Sequence, residues 1–181
     1  MKFELYNREN APVDSQPLLE KSIKDFGMIP NLHAVLAESP VTLKAYQELH
    51  QLFQQTSFDA EELTVVWQTI NVEHECHYCV PAHTAIAHGM NVDAAITDAL
   101  RDRSELPTER LQVLHLTTLA LVRNRGRLSE QEQADFLAVG FERRQLLEII
   151  LGISQKVISN YTNHSADTPI DKPFQPYEWK A

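Results

Sequence analysis

The sequence predicts an all-α fold, a single-domain helical bundle of about eight helices. Three observations carry this. Apolar residues recur at helical spacing through most of the chain, start and stop signals punctuate those stretches, and no stretch of any length alternates apolar with polar residues as a strand does. The 181 residues are ample for one buried core, and no linker divides them into two domains.

Residues 1–15 read as an extended polar lead-in. Leu18, Leu19, Ile23 and Phe26 then share a helix face, and Gly27 ends that helix. Asn31 is placed to cap a short helix running to about Glu38. Ser39-Pro40 starts the next helix, which carries Leu43, Tyr46, Leu49, Leu52 and Phe53 on one face. Asp59 with Glu62 forms a capping box for a helix through about Val72. A helix from about Val80 to His88 follows, with Pro81 in its first turn and Gly89 as a left-handed stop. Asn91-Val92-Asp93 opens another, through about Arg101, and Pro107-Thr108 a longer one with Leu111, Leu114, Leu119 and Leu121. Ser129 with Glu132 is a second capping box, and Gly140 closes that short helix. The last long helix spans about Glu142 to His164, with Leu146, Ile149, Ile150, Ile153, Val157 and Ile158 facing inward. Residues 165–181 hold Pro169, Pro173 and Pro176 and are expected to be irregular, with Phe174, Tyr177 and Trp179 packing on the body or on a neighbour.

Composition excludes some classes of function. A net charge of −9 argues against nucleic-acid binding, which needs a basic face, and against an anionic membrane surface. The N-terminus lacks the apolar core of a secretory signal, and no run is long enough to span a membrane. The expectation is a cytoplasmic protein. In that compartment a close cysteine pair points to redox chemistry or metal rather than to a structural staple.

The chain has two cysteines, Cys76 and Cys79, within the stretch EHECHYCVPAHTAIAHGM from Glu73 to Met90. Cys79 is expected at or beside a helix N-cap, where unpaired N–H groups and the macrodipole favour a thiolate. His83 lies one turn further on, placed to take the thiol proton or to hold the thiolate as a cation. Cys76 is placed to condense with an oxidised Cys79. His74 and His88 flank the motif and read as solvated, while His77, between the cysteines, is placed to tune their potential or simply to be exposed.

Cys76-His77-Tyr78-Cys79-Val80-Pro81-Ala82-His83 resembles the Cys-x-x-Cys-x-x-x-His core of the AhpD-like alkylhydroperoxidases, in the carboxymuconolactone decarboxylase superfamily. Two further passages resemble its peroxidase-related branch: Phe26-Gly27-Met28-Ile29-Pro30-Asn31-Leu32 with Ser39-Pro40, and Asn160-Tyr161-Thr162-Asn163-His164 with Thr168-Pro169-Ile170-Asp171. The resemblance implies an AhpD-like helical domain, a homo-oligomer, catalytic Cys79, Cys76 and His83, a peroxide substrate and an external dithiol donor. It implies no cofactor and no metal. It also places His164 near the site, where capping the carbonyls of its own helix is the other reading. The sequence departs from the family at two places. Thr64 stands where the family has its relay carboxylate, and Tyr78 where the archetype has a histidine. Glu73 and Glu75 are the carboxylates near enough in sequence to substitute.

The leading expectation is therefore a thiol-dependent peroxidase in which Cys79 attacks and Cys76 resolves. A thiol–disulfide exchanger or redox sensor keeps the dithiol without the peroxide. A zinc-bearing interaction module would use Cys76, Cys79, His83 and either His74 or His88 as ligands. A lactone decarboxylase fits least, because those members do not rely on a Cys-x-x-Cys pair.

Overall fold

Most of the described helices begin at a start signal that their own sequence supplies. The computed structural model describes residues 2–181. Among them are nine α-helices and two short 3-10 segments, with no strand. The helices are α1 (Gln16–Phe26), α2 (Asn31–Leu36), α3 (Pro40–Gln54), α4 (Ala60–Glu73), α5 (Cys79–Gly89), α6 (Ala94–Arg101), α7 (Glu109–Arg123), α8 (Glu130–Ala138) and α9 (Arg143–Ala166). Both expected capping boxes form, at Asp59–Glu62 and Ser129–Glu132, and Asp93 and Thr108 cap α6 and α7. Each such cap contributes about 1 kcal/mol.

Helix α4 is the centre of the bundle. Its residues from Glu62 to Val72 are all buried, so it has no solvent face. It packs against α5, α6, α7 and α9. Its buried Val65, Val66, Trp67 and Ile70 anchor one apolar core shared with α6–α9. A second core joins α1–α3 to the start of α5 and includes Cys76 and Cys79 themselves. Helix α9 runs alongside both. Gly152 permits its close approach: a Cβ there would meet the Phe53 ring at 2.7 Å and Val66 at 3.2 Å.

Four local expectations are corrected. Asn31 is the first residue of α2 rather than its cap, because Pro30 takes the cap position. The capping acceptor comes instead from Asp171, whose carboxylate receives the Asn31 N–H at 3.1 and 3.2 Å. Gly89 lies inside α5, and the left-handed residue after that helix is Asn91 (φ 59°). Leu52 is half exposed on α3. Ile150 is exposed on α9, and the inward face of that helix's second half is polar, made of Gln155, Lys156, Ser159, Asn160 and Asn163.

The C-terminal segment is ordered against the body. A 3-10 turn (Lys172–Tyr177) packs on α5. Trp179 donates its indole N–H to the Arg101 carbonyl at 3.1 Å, and the Arg101 guanidinium donates to the Tyr177 carbonyl at 2.9 Å.

Candidate active site

Cys79 is the first residue of α5, with Tyr78 as N-cap. Pro81 in that first turn forgoes an N–H that would have had no intrahelical partner. The turn is clamped by buried amides of α4. The Gln68 amide donates to the Val80 carbonyl at 3.1 Å, and Asn71 to the Cys79 carbonyl at 3.4 Å. Asn160 on α9 extends the network, donating to Asn71 Oδ1 at 3.0 Å. Both cysteines are free thiols and buried. The Cys79 N–H donates to Cys76 Sγ at 3.3 Å. Asn163 Nδ2 lies 3.2 Å from Cys79 Sγ and 3.9 Å from Cys76 Sγ, so one amide serves both sulfurs.

The two thiols differ in environment. Cys79 lines a cavity of about 200 Å³; Cys76 is not among the residues lining it. The cavity walls include Phe26, Leu32, Ile86 and Phe174 on the apolar side, with Tyr46, His33, His50 and His83 supplying polar atoms. His33, Tyr46 and His50 also border a neighbouring polar cleft that Lys21 and Asp25 line, so these rings partition the two. Burial alone would push the Cys79 thiol up. The Cys76 thiol, the Lys156 charge and the nearby polar side chains of Ser159 and Asn160 outweigh it, and its pKa falls well below the ordinary thiol value. The Cys76 thiol moves the other way, through its hydrogen bond to Cys79 and then its burial. Both directions favour Cys79, the sulfur that faces the cavity, as the one to ionise.

Lys156 is the residue that sequence reading missed. It is fully buried, and its Nζ lies 3.0 Å from His83 Nε2. Among the described residues no carboxylate pairs with it. With Lys156 as an ammonium, which only donates, His83 Nε2 is the acceptor and the neutral ring has its proton on Nδ1. That buried Nδ1 has no protein partner. His83 is held neutral, its pKa depressed first by burial and then by the Lys156 charge. The expected Cys79–His83 hydrogen bond is not formed: His83 is joined to Lys156 instead. A signal for Lys156 was present in the sequence as the polar stripe at helical spacing along an otherwise apolar helix, positions 155, 156, 159, 160 and 163.

Other sequence candidates lie elsewhere. Glu73 is ion-paired with Arg123 at 2.7 Å, and Glu75 is exposed beside Arg103, so neither substitutes for the relay carboxylate. Thr64 donates to the Ala60 carbonyl of its own helix. His164 is exposed, and its neighbour Asn163 occupies the site. His74, expected to be solvated, pairs with Asn160 at 2.9 Å, and His77 with the Thr168 carbonyl at 3.0 Å. His88 is exposed and meets Tyr177. The zinc ligand set thus does not converge, and among the described residues no three of His, Cys, Asp and Glu are grouped to hold a metal. Tyr78 donates its hydroxyl to Asp171 at 2.5 Å and accepts the Leu32 N–H at 3.3 Å. Residues 31–32, 78 and 171, from the three passages singled out in the sequence, therefore meet at one point beside the cavity.

The same arrangement of helices recurs in solved structures. A peroxidase-related protein with an alkylhydroperoxidase AhpD core from Ralstonia eutropha superposes with a TM-score of 0.82, covering 96% of this chain and 93% of its own. The fold is AhpD-like. Sequence identity to that protein is 17%. A second neighbour, a peroxidase-related protein from Silicibacter sp., gives a TM-score of 0.74 at 16% identity over 94% of this chain and 90% of its own. A cysteine-to-alanine variant of the debrominase Bmp8, in complex with 2,3,4-tribromopyrrole, gives 0.80 at 16% identity over 97% and 95%. By sequence, no family model matches the chain and no curated protein does. Among the described residues no helix is long and apolar enough to cross a membrane.

Proposed function

We propose that this protein is a thiol-dependent peroxidase that reduces a small organic hydroperoxide with Cys79 and Cys76. The observation that carries the reading is the asymmetry of the pair. Cys79 borders a largely apolar cavity and is the sulfur favoured as thiolate, while Cys76 lies behind it within hydrogen-bonding reach. Cys79 attacks the terminal peroxide oxygen, the O–O bond breaks, and the alkoxide leaves. Cys76 then displaces hydroxide from the Cys79 sulfenic acid, and water departs as the disulfide forms. An external dithiol returns both thiols. The peroxidase-related neighbours support the class of activity. Cys79→Ser is expected to abolish peroxide turnover, while Cys76→Ser still forms a sulfenic acid that a dimedone probe traps on Cys79. Intact mass and thiol counting after one equivalent of hydroperoxide read both. Substantial turnover by Cys79→Ser overturns the assignment.

The cavity supports a second reading. It is lined by aromatic rings, and the neighbouring debrominase takes a brominated pyrrole. The same dithiol could remove halogen from a small aromatic: the thiolate takes the halogen, the ring carbon takes a proton, and Cys76 releases halide as the disulfide forms. Bromide release from bromopyrroles in the presence of a dithiol, without turnover of hydroperoxides, would favour this reading over the first.

A further inference from the structure

We propose that Lys156 is the proton store of this site, holding the proton given up by Cys79 and returning it through His83 to the leaving oxygen of the peroxide. The proposal rests on the peroxidase reading and concerns the part of it that Thr64 leaves open. A relay carboxylate is absent from the Thr64 position, and Glu73 and Glu75 are committed elsewhere. Something must still accept the thiol proton before attack and supply one to the alkoxide after it.

The geometry offers one candidate for each task. Lys156 is fully buried and contacts His83 Nε2 at 3.0 Å. The titratable groups that feel the Lys156 charge include Cys76 just before α5, Cys79 at its head, His83 further along it, and His50 on α3. None is a carboxylate. A buried ammonium without a counter-anion is strongly unfavourable, and the Cys79 thiolate is the anion available to offset it. His83 lines the cavity, and its buried Nδ1, which bears the ring proton when Nε2 accepts from Lys156, meets no protein atom. A buried donor left without an acceptor is itself costly, and a peroxide oxygen in the cavity would take it.

The steps balance. In the resting site the Cys79 proton resides on Lys156, giving thiolate and ammonium. The thiolate forms a bond to the terminal oxygen of ROOH, the O–O bond breaks, and the departing alkoxide takes the Nδ1 proton of His83. His83 Nε2 takes a proton from Lys156, leaving neutral imidazole and neutral amine. Cys76 thiol and Cys79 sulfenic acid then give disulfide and water. Reduction by the external dithiol restores two thiols, the His83 ring releases its Nε2 proton and takes one at Nδ1 from the cavity, and the Cys79 proton passes again to Lys156. In these terms His83 is the catalytic acid, touching the leaving oxygen, and Lys156 is a positioning residue that acts through it.

Two variants test this. Lys156→Met keeps the bulk and removes the charge. It is expected to move the pH midpoint of Cys79 alkylation by iodoacetamide upward, and to slow sulfenic acid formation by about a hundredfold. His83→Gln is expected to leave the alkylation midpoint in place. It should slow oxidation by tert-butyl hydroperoxide, a poor leaving group, far more than oxidation by peracetic acid, a good one. An unmoved alkylation midpoint in Lys156→Met overturns the proton store. Equal slowing with both oxidants in His83→Gln, or a shifted midpoint there, overturns the acid role and makes His83 the base of Cys79. Inertness of the unaltered protein to both oxidants overturns the peroxidase reading itself, and is seen before any variant is made.

Discussion

The residue scale is set by imidazoles held neutral. His33 and His50 are depressed to about 3 and about 4 respectively, each mainly by burial and then by the competing charge of a basic neighbour, His50 for His33 and Lys156 for His50. In the unfolded chain both titrate near 6.5. Between those values the unfolded state binds more protons than the folded one, so stability rises with pH. It is fully retained above about 6.5 and is eroded as the pH falls toward 4, by at most about 1.4 kcal/mol per pH unit for each ring. Denaturant midpoints measured from pH 7 to pH 4 should fall accordingly. Replacing His33 with Asn should flatten the slope; a slope unchanged by that substitution would refute the cause. Cys76, Cys79 and His83 could be read from the sequence because they share one short window. Lys156 and Asn163 could not be joined to them, since α9 arrives from about eighty residues away and the chain carries no local mark of that meeting.

At the scale of elements, caps and turn residues placed most helices to within a few residues, because those signals act on their own neighbours. They failed where a distant group supplied the cap. Asp171 serves Asn31 at the head of α2 and receives the Tyr78 hydroxyl beside α5. One carboxylate thereby ties the C-terminal segment to two helix starts, and holds the segment that carries Phe174 against the cavity. Asp171→Ala leaves the Asn31 N–H and the Tyr78 hydroxyl without their acceptor, a loss of about 1–3 kcal/mol. Backbone amides of residues 168–179 should then exchange with solvent markedly faster, while those of α4 hold their protection. Unchanged exchange in that segment would show that Trp179 and Arg101 hold it unaided. The inward polar face of α9 is the other departure from a simple amphipathic pattern. It supplies an ammonium and amides to the place where two cysteines needed donors.

At the scale of the whole molecule, the fold class could be read from periodicity because a bundle's cores are written as stripes on its helices. That there are two apolar cores, one of them enclosing the cysteines, depends on how α4 and α9 are shared between them, and no local pattern records it. An acidic chain of net charge −9 thus keeps a lysine sealed at its interior, opposite a sulfur that can be anionic. Redox state and folding are coupled through that choice. A disulfide commonly strengthens a fold by constraining the unfolded chain, but a bridge between residues 76 and 79 closes a very small loop and gains little that way. Closing it also removes the sulfur anion, so Lys156 is left buried with no counter-charge and must either stay an unpaired cation or give up its proton. The oxidised protein should therefore melt at a lower temperature than the dithiol form, reversing the usual order, and the pair should be readily reduced, as with any disulfide whose reduced form is the favoured one. Calorimetry of the two forms compares them directly, and a higher Tm for the oxidised form would show that the buried charge is compensated from elsewhere.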